Sequence, residues 1–163
     1  MNAKAKGEKG QRIVIGELAK LDLDVAIPLS DNLPWDFIVV YKNRLLKAQV
    51  KSSQTTHKSS QGSIVFGLRS NNWHAKTIRK YTINDCDIMF LCDFQHVYVL
   101  GPNEFQNRNS FVIRTTSAHN GQQKDINFHN DYLLTLDRLE KCSTFTDVKL
   151  EQILLGGVNR SPN

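Results

Sequence analysis

Apolar and polar positions alternate most clearly between residues 34 and 52. Pro34-Trp35-Asp36 leads into an apolar, β-branched run, Phe37-Ile38-Val39-Val40-Tyr41. A short polar segment, Lys42-Asn43-Arg44, separates it from a second run that ends Lys47-Ala48-Gln49-Val50-Lys51-Ser52. Two such runs around a short polar segment predict a β-hairpin. Side chains alternate faces along a strand, so Gln49 and Lys51 share one face and Val50 takes the other. With a two-residue loop, Asp36 falls opposite Gln49 or Lys51 and on their face.

A helical period precedes the hairpin. Ile13, Val14, Leu18 and Leu21 form an apolar stripe that predicts a helix from about Lys6 to Leu21. Gln11 lies in line with Val14, Ile15 and Leu18, and Glu8 lies one turn earlier. Polar groups therefore stand at one end of a core-facing stripe. Val25-Ala26-Ile27-Pro28-Leu29 reads as a short strand, and Ser30 to Pro34 as a loop.

Downstream, Ser52 to Gly62 is polar throughout and reads as a loop or strand extension. Ile64 to Arg69 is a predicted strand, whereas Trp73 to Tyr81 fits either a loop or a short helix. Ile88-Met89-Phe90-Leu91-Cys92 and His96-Val97-Tyr98-Val99-Leu100 predict a second hairpin, deep in the core. Pro102 to Phe105 suits a turn or helix start, and Phe111 to Arg114 a strand. Asn120-Gly121 marks a turn within a polar loop from Ser117 to Asp125. Tyr132–Leu139 and Val148–Leu155 look helical. The pattern suits a single domain over residues 1–163: a core with its loops over 1–134, helical elements over 135–155 and a frayed tail over 156–163.

Composition adds a partner. The 163 residues are 40% hydrophobic, enough for a core, and the formal net charge is +5. From Phe37 to Asn84 there is no Asp or Glu, yet nine Lys and Arg residues fall there. A second acid-free stretch, Phe105 to Lys124, holds Arg108, Arg114 and Lys124. One-sign charge interleaved with Ser, Thr, Asn, Gln and His suits a polyanion: cations release counterions from phosphates, and short polar groups read base edges. No apolar run reaches membrane-spanning length, and no apolar segment follows the basic N-terminus as a secretory signal would. Cys86, Cys92 and Cys142 are odd in number and lack C-x-x-C spacing, so a reducing, cytoplasmic setting is expected. The five histidines have no metal-ligand spacing.

On the predicted hairpin, Asp36 can bind a divalent cation, with the Gln49 side-chain oxygen and the Val50 carbonyl as neutral ligands. Mg²⁺, or Mn²⁺ in its place, takes oxygen ligands and retains water. Lys51 can orient an attacking water or stabilise charge growing on a phosphate. The polar loops are the expected duplex DNA contacts: Ser53, Gln54, Thr55, His57, Lys58 and Ser60 in one; Arg69, Asn71, Asn72, Lys76 and Arg79 in another; Thr116, His119, Gln122 and Lys124 in a third. Lys42 and Arg44 in the hairpin turn join them, as does Arg114 at a strand end.

These residues carry a resemblance. Asp36 … Gln49-Val50-Lys51 resembles the P-D … (D/E)-x-K nuclease motif, in the variant with Gln for the acid. Lys6-Gly7-Glu8-Lys9-Gly10-Gln11 resembles the K-G-x-x-G-E opening of the first helix in one branch of that superfamily. Val97 to Pro102 resembles the strand and turn after the catalytic core. The resemblance extends to about Leu134 and is strongest to bacterial group I intron-encoded homing endonucleases with the restriction-enzyme fold. It implies an α/β fold, a mixed β-sheet flanked by helices, with Mg²⁺-dependent double-strand cleavage. It also implies a homotetramer on a long, roughly palindromic site, cytoplasmic and nucleoid-associated when bound to DNA. Carried over, the catalytic set is Gln11, Asp36, Gln49 and Lys51. The family pattern has Glu where this chain has Gln11. Asp36 is then the one clear anionic ligand, with Glu8 a turn away as a substitute. Gln11 reads as an isosteric replacement of a glutamate, in a site that binds DNA better than it cuts it.

Overall fold

The computed structural model describes residues 2–30, 32–56, 62–72, 77–116 and 126–144. Helix α1, Ala3–Ala19, starts at Asn2, whose side chain accepts the Ala5 N–H at 2.8 Å. It stops where Asp22 takes a left-handed φ of 56°. Strand β1 is only Asp24–Ala26. The longer strand expected there ends before Pro28, which has no N–H to give a ladder, and Ile27 and Leu29 are exposed.

The hairpin forms as β2, Phe37–Tyr41, and β3, Arg44–Ser52. The connection is two residues, and Lys42 adopts the positive φ that tight hairpin turns require. Strands β4 (Ser63–Gly67), β5 (Arg69–Asn72) and β6 (Thr77–Lys80) follow. Residues Thr77–Lys80 are thus strand, not loop or helix: pairing with Arg69–Asn72 decides an element that local pattern leaves open. Next come β7, Ile88–Cys92, and β8, Val97–Leu100. Helix α2, Pro102–Phe105, precedes β9, Ser110–Arg114.

The main sheet has the order β1-β2-β3-β7-β8, with β3 and β7 parallel and the other neighbours antiparallel. Two small sheets, β4-β9 and β5-β6, lie outside it. Strand β7 explains the continuous apolar run, because both of its faces are covered. Ile88, Phe90 and Cys92 join a core with Val14 and Leu18 of α1, Phe37, Val39, Leu46, Ala48 and Val50. Met89 and Leu91 join the opposite core with Tyr98, Leu100, Phe66, Phe105 and Phe111. The three cysteines are free and buried.

Tyr132–Leu134, expected to be helical, is not. A 3₁₀ turn at His129–Asp131 is followed by a bridge from Leu133 to Tyr98, and helix α3 begins at residue 136 and runs to 144. Thr135 caps it, its hydroxyl accepting the Arg138 N–H at 3.1 Å. Val148–Leu155 and the tail lie outside the described residues.

Candidate active site

The hairpin register sets the site. Phe37 pairs with Ala48, which places Asp36, just before β2, across from Gln49. The Asp36 backbone N–H donates to the Ala48 carbonyl at 2.8 Å. Its side-chain Oδ2 accepts the Val50 N–H at 2.7 Å and the Gln49 Nε2 at 2.7 Å. The same Nε2 also donates to the Val50 carbonyl at 3.1 Å. An amide nitrogen therefore bridges the carboxylate and carbonyl oxygens that the sequence nominates as ligands. The other carboxylate oxygen, Oδ1, has no hydrogen bond among the described residues. Burial raises the Asp36 carboxyl above its ordinary value, against the Val50 N–H and the Lys51 charge, which lower it. A carboxylate in that state favours neutralisation, by a proton or by a cation.

Lys51 lies on the same face. Its Nζ donates to the Tyr81 hydroxyl at 3.0 Å and the Arg69 carbonyl at 3.3 Å, and sits 4.6 Å from the Tyr81 ring centroid. Tyr81 is buried, just beyond the end of β6, and the pairing of Lys80 with Arg69 brings it to the site. Sequence reasoning missed Tyr81. Nothing in its neighbourhood along the chain marks it; the β5–β6 register does.

Gln11 is half-buried on α1, which packs on the opposite face of the sheet with Val14 and Leu18. No hydrogen bond links its side chain to Asp36, Gln49 or Lys51 among the described residues. Its neighbour Gly10 holds that part of α1 down: a Cβ there would stand 1.7 Å from Ser52 Oγ. Glu8 does not join the site. It is exposed and faces Arg12 one turn on, at 3.6 Å, because its helical position points to solvent.

Several expected DNA contacts have protein partners. Lys42 pairs with Glu140 of α3 at 2.6 Å, and Arg44 reaches Glu140 at 3.5 Å and the Ser143 carbonyl at 3.1 Å. Both sit at the turn end of the hairpin, away from Asp36, and tie α3 down. Arg79 pairs with Asp85 at 2.8 Å. The Ser53 hydroxyl accepts the Thr55 N–H, and Arg114 Nε donates to the Thr116 carbonyl. Gln54, Thr55, Arg69 and Thr116 are exposed. His57, Lys58, Ser60, Lys76, His119, Gln122 and Lys124 lie outside the described residues, as do the side chains of Asn71 and Asn72.

Among the described residues, no three His, Cys, Asp or Glu side chains cluster to hold a metal. A cation site here must combine Asp36 with amide and carbonyl oxygens. Those are hard donors of the kind Mg²⁺ accepts, and the donor set fits such an ion, though with little negative charge.

Three comparisons bear on this geometry. The family model described as PD-(D/E)XK endonuclease matches residues 1–135. No curated protein matches the chain at a significant level. Among solved structures, the bacterial homing endonuclease I-Ssp6803I superposes with a TM-score of 0.68 at 24% identity, over 91% of this chain and 97% of that one. That likeness is one of fold, an α/β mixed sheet flanked by helices.

Proposed function

This chain belongs to the PD-(D/E)XK endonuclease family, and from that membership we propose that it is a sequence-specific homing-type endonuclease that breaks both strands of duplex DNA with Mg²⁺ or Mn²⁺. The observation that carries the reading is the convergence of the Asp36 carboxylate, the Val50 carbonyl and the Gln49 amide beside the Lys51 ammonium. A half-turn of the Gln49 amide exchanges its nitrogen for its oxygen, which sets the Gln49 oxygen beside those of Asp36 and Val50, the two groups its nitrogen now reaches at 2.7 and 3.1 Å. Asp36, Gln49 and Val50 would hold the cation, and Gln11 on α1 is the remaining residue that the motif resemblance assigns to the site. When bound, the ion supplies Lewis acidity and an acidified water.

The chain's own groups do the rest. Tyr81 and the Arg69 carbonyl hold the Lys51 ammonium in place. From there it orients the water for in-line attack on the phosphodiester and offsets charge growing on the phosphate oxygens. The products are 5′-phosphate and 3′-hydroxyl ends. The whole chain, residues 1–163, acts as one domain within a homotetramer on a roughly palindromic site. Among the described residues no helix is long and apolar enough to cross a membrane.

A second reading has its own support. With Gln at positions 11 and 49, Asp36 is the one carboxylate in the site. A DNA-binding module that does not cut would look the same. A cleavage assay on a random-sequence duplex library, in Mg²⁺, Mn²⁺ or EDTA, separates the readings. Cutting in metal alone is expected, and Gln11→Glu should raise it about 10–100-fold. DNA binding without cutting by either protein would establish the module. Preference for four-way junctions over linear duplex would point to a junction resolvase of the same superfamily.

A further inference from the structure

Outside the Asp36 site, the described residues form a notch of about 240 Å³ lined by Lys6, Lys9, Gln54 and Phe94. Three separate parts of the chain build it. Lys6 and Lys9 are one turn apart on α1. Gln54 follows the end of β3, and Phe94 lies in the β7–β8 turn. That turn is organised by Asp93, whose carboxylate accepts the backbone N–H groups of Gln95 and His96 and the Tyr98 hydroxyl. Phe94 itself takes a φ of 73°, an uncommon conformation for a residue with a side chain.

Both lysine ammonium groups sit over the one Phe94 ring, at 5.8 Å and 5.4 Å from its centroid. Among the described residues neither has a carboxylate partner. Like charges one turn apart repel on a helix, so two cations gathered on one ring without an acid are poised for an anion. The notch is below the roughly 300 Å³ at which pockets take whole small molecules, so it suits a single charged group. It also lies at the active end of the sheet. Gln54 is three residues beyond Lys51, at most about 10 Å along extended chain.

We propose that Lys6 and Lys9, over Phe94 and beside Gln54, bind a backbone phosphate of the nucleic acid held at the Asp36 site. The inference rests on the reading of the chain as a DNA endonuclease and adds an anchor on the α1 side of the sheet, opposite the face that carries Lys51. Phe94 keeps the two ammonium groups together, Gln54 adds an amide donor, and the phosphate supplies the missing negative charge.

The test is binding of the full chain to a labelled linear duplex across a salt series, in EDTA so that no strand is cut. The variants are the double substitution Lys6→Gln with Lys9→Gln, and Phe94→Leu. Lys20→Ala on the same helix is the control, because that lysine already pairs with Glu17 at 2.7 Å. The double variant should bind about tenfold more weakly at low salt, and its slope of log K against log salt should flatten by about 0.9 for the one phosphate lost. Phe94→Leu should weaken binding in the same sense, and the control should match wild type. Wild-type binding with unchanged affinity and slope in both variants overturns the anchor and leaves the endonuclease reading intact. If the wild-type chain binds no duplex at all, both fall.

Discussion

Asp36 keeps its carboxylate where water reaches poorly, and this has a consequence that differs with pH. Burial raises its proton affinity in the folded chain above that in the unfolded chain. The folded state then binds the proton more tightly, so this group's contribution to stability is present in acid and lost as pH rises through the raised value. Asp36→Asn keeps an acceptor for the Val50 N–H without the charge. In metal-free buffer at neutral pH, its melting temperature should equal or exceed that of wild type, and the difference should fade in acid. Added Mg²⁺ should raise the melting temperature of wild type alone. A clear loss of stability in the variant at neutral pH would contradict the burial argument. Tyr81 is the other decisive side chain. Tyr81→Phe keeps the ring beside Lys51 and removes the hydroxyl acceptor, a hydrogen bond to a charged group worth about 1.5–3 kcal/mol. Turnover should fall about tenfold or more with KM unchanged. A change in KM alone would place Tyr81 in DNA binding instead of in the positioning of Lys51.

At the scale of elements, α1 and the end of β3 meet so closely that one hydrogen atom in place of a methyl decides the fit. Gly10→Ala puts a Cβ 1.7 Å from Ser52 Oγ and 2.9 Å from Ser52 Cβ. Lifting the helix to relieve this should cost about 1–3 kcal/mol in urea unfolding. Ser52→Gly in the same chain should restore most of it, and Ser52→Ala less, since the second contact remains. Additive effects of the paired substitutions would show that the two positions are not coupled. The elements were largely legible beforehand. Helical and strand periods are local properties, and α1, the β2–β3 hairpin and the β7–β8 hairpin follow from them. Strand β6 was not, because Thr77–Lys80 is held by its pairing with Arg69–Asn72 and not by its own pattern. The start of α3 was missed for a similar reason: Tyr132 and Leu133 bond to β8 before the helix can begin.

For the whole molecule, charge and assembly decide how it meets DNA. A tetramer is proposed, and sedimentation of the free chain should give a species of four protomers that persists on DNA. A monomer under both conditions would remove the tetramer and leave the site unaffected. Net charge and the acid-free stretch point to a polyanion from the sequence alone, because summed charge needs no fold to be counted. The same holds for the site's core. Asp36, Gln49 and Lys51 lie within one hairpin, and strand alternation places them on one face before any long-range contact is known. Which other residues serve that site depended on pairings far along the chain. Tyr81 arrives through the register of two small strands, while Lys42 and Arg44 pair with Glu140, which is 98 residues beyond Lys42. Glu8, one turn from Gln11, faces solvent. A polar residue has the same local signature whether it meets a ligand, water or another part of the protein. Only the tertiary structure, which fixes what lies opposite each side chain, tells them apart.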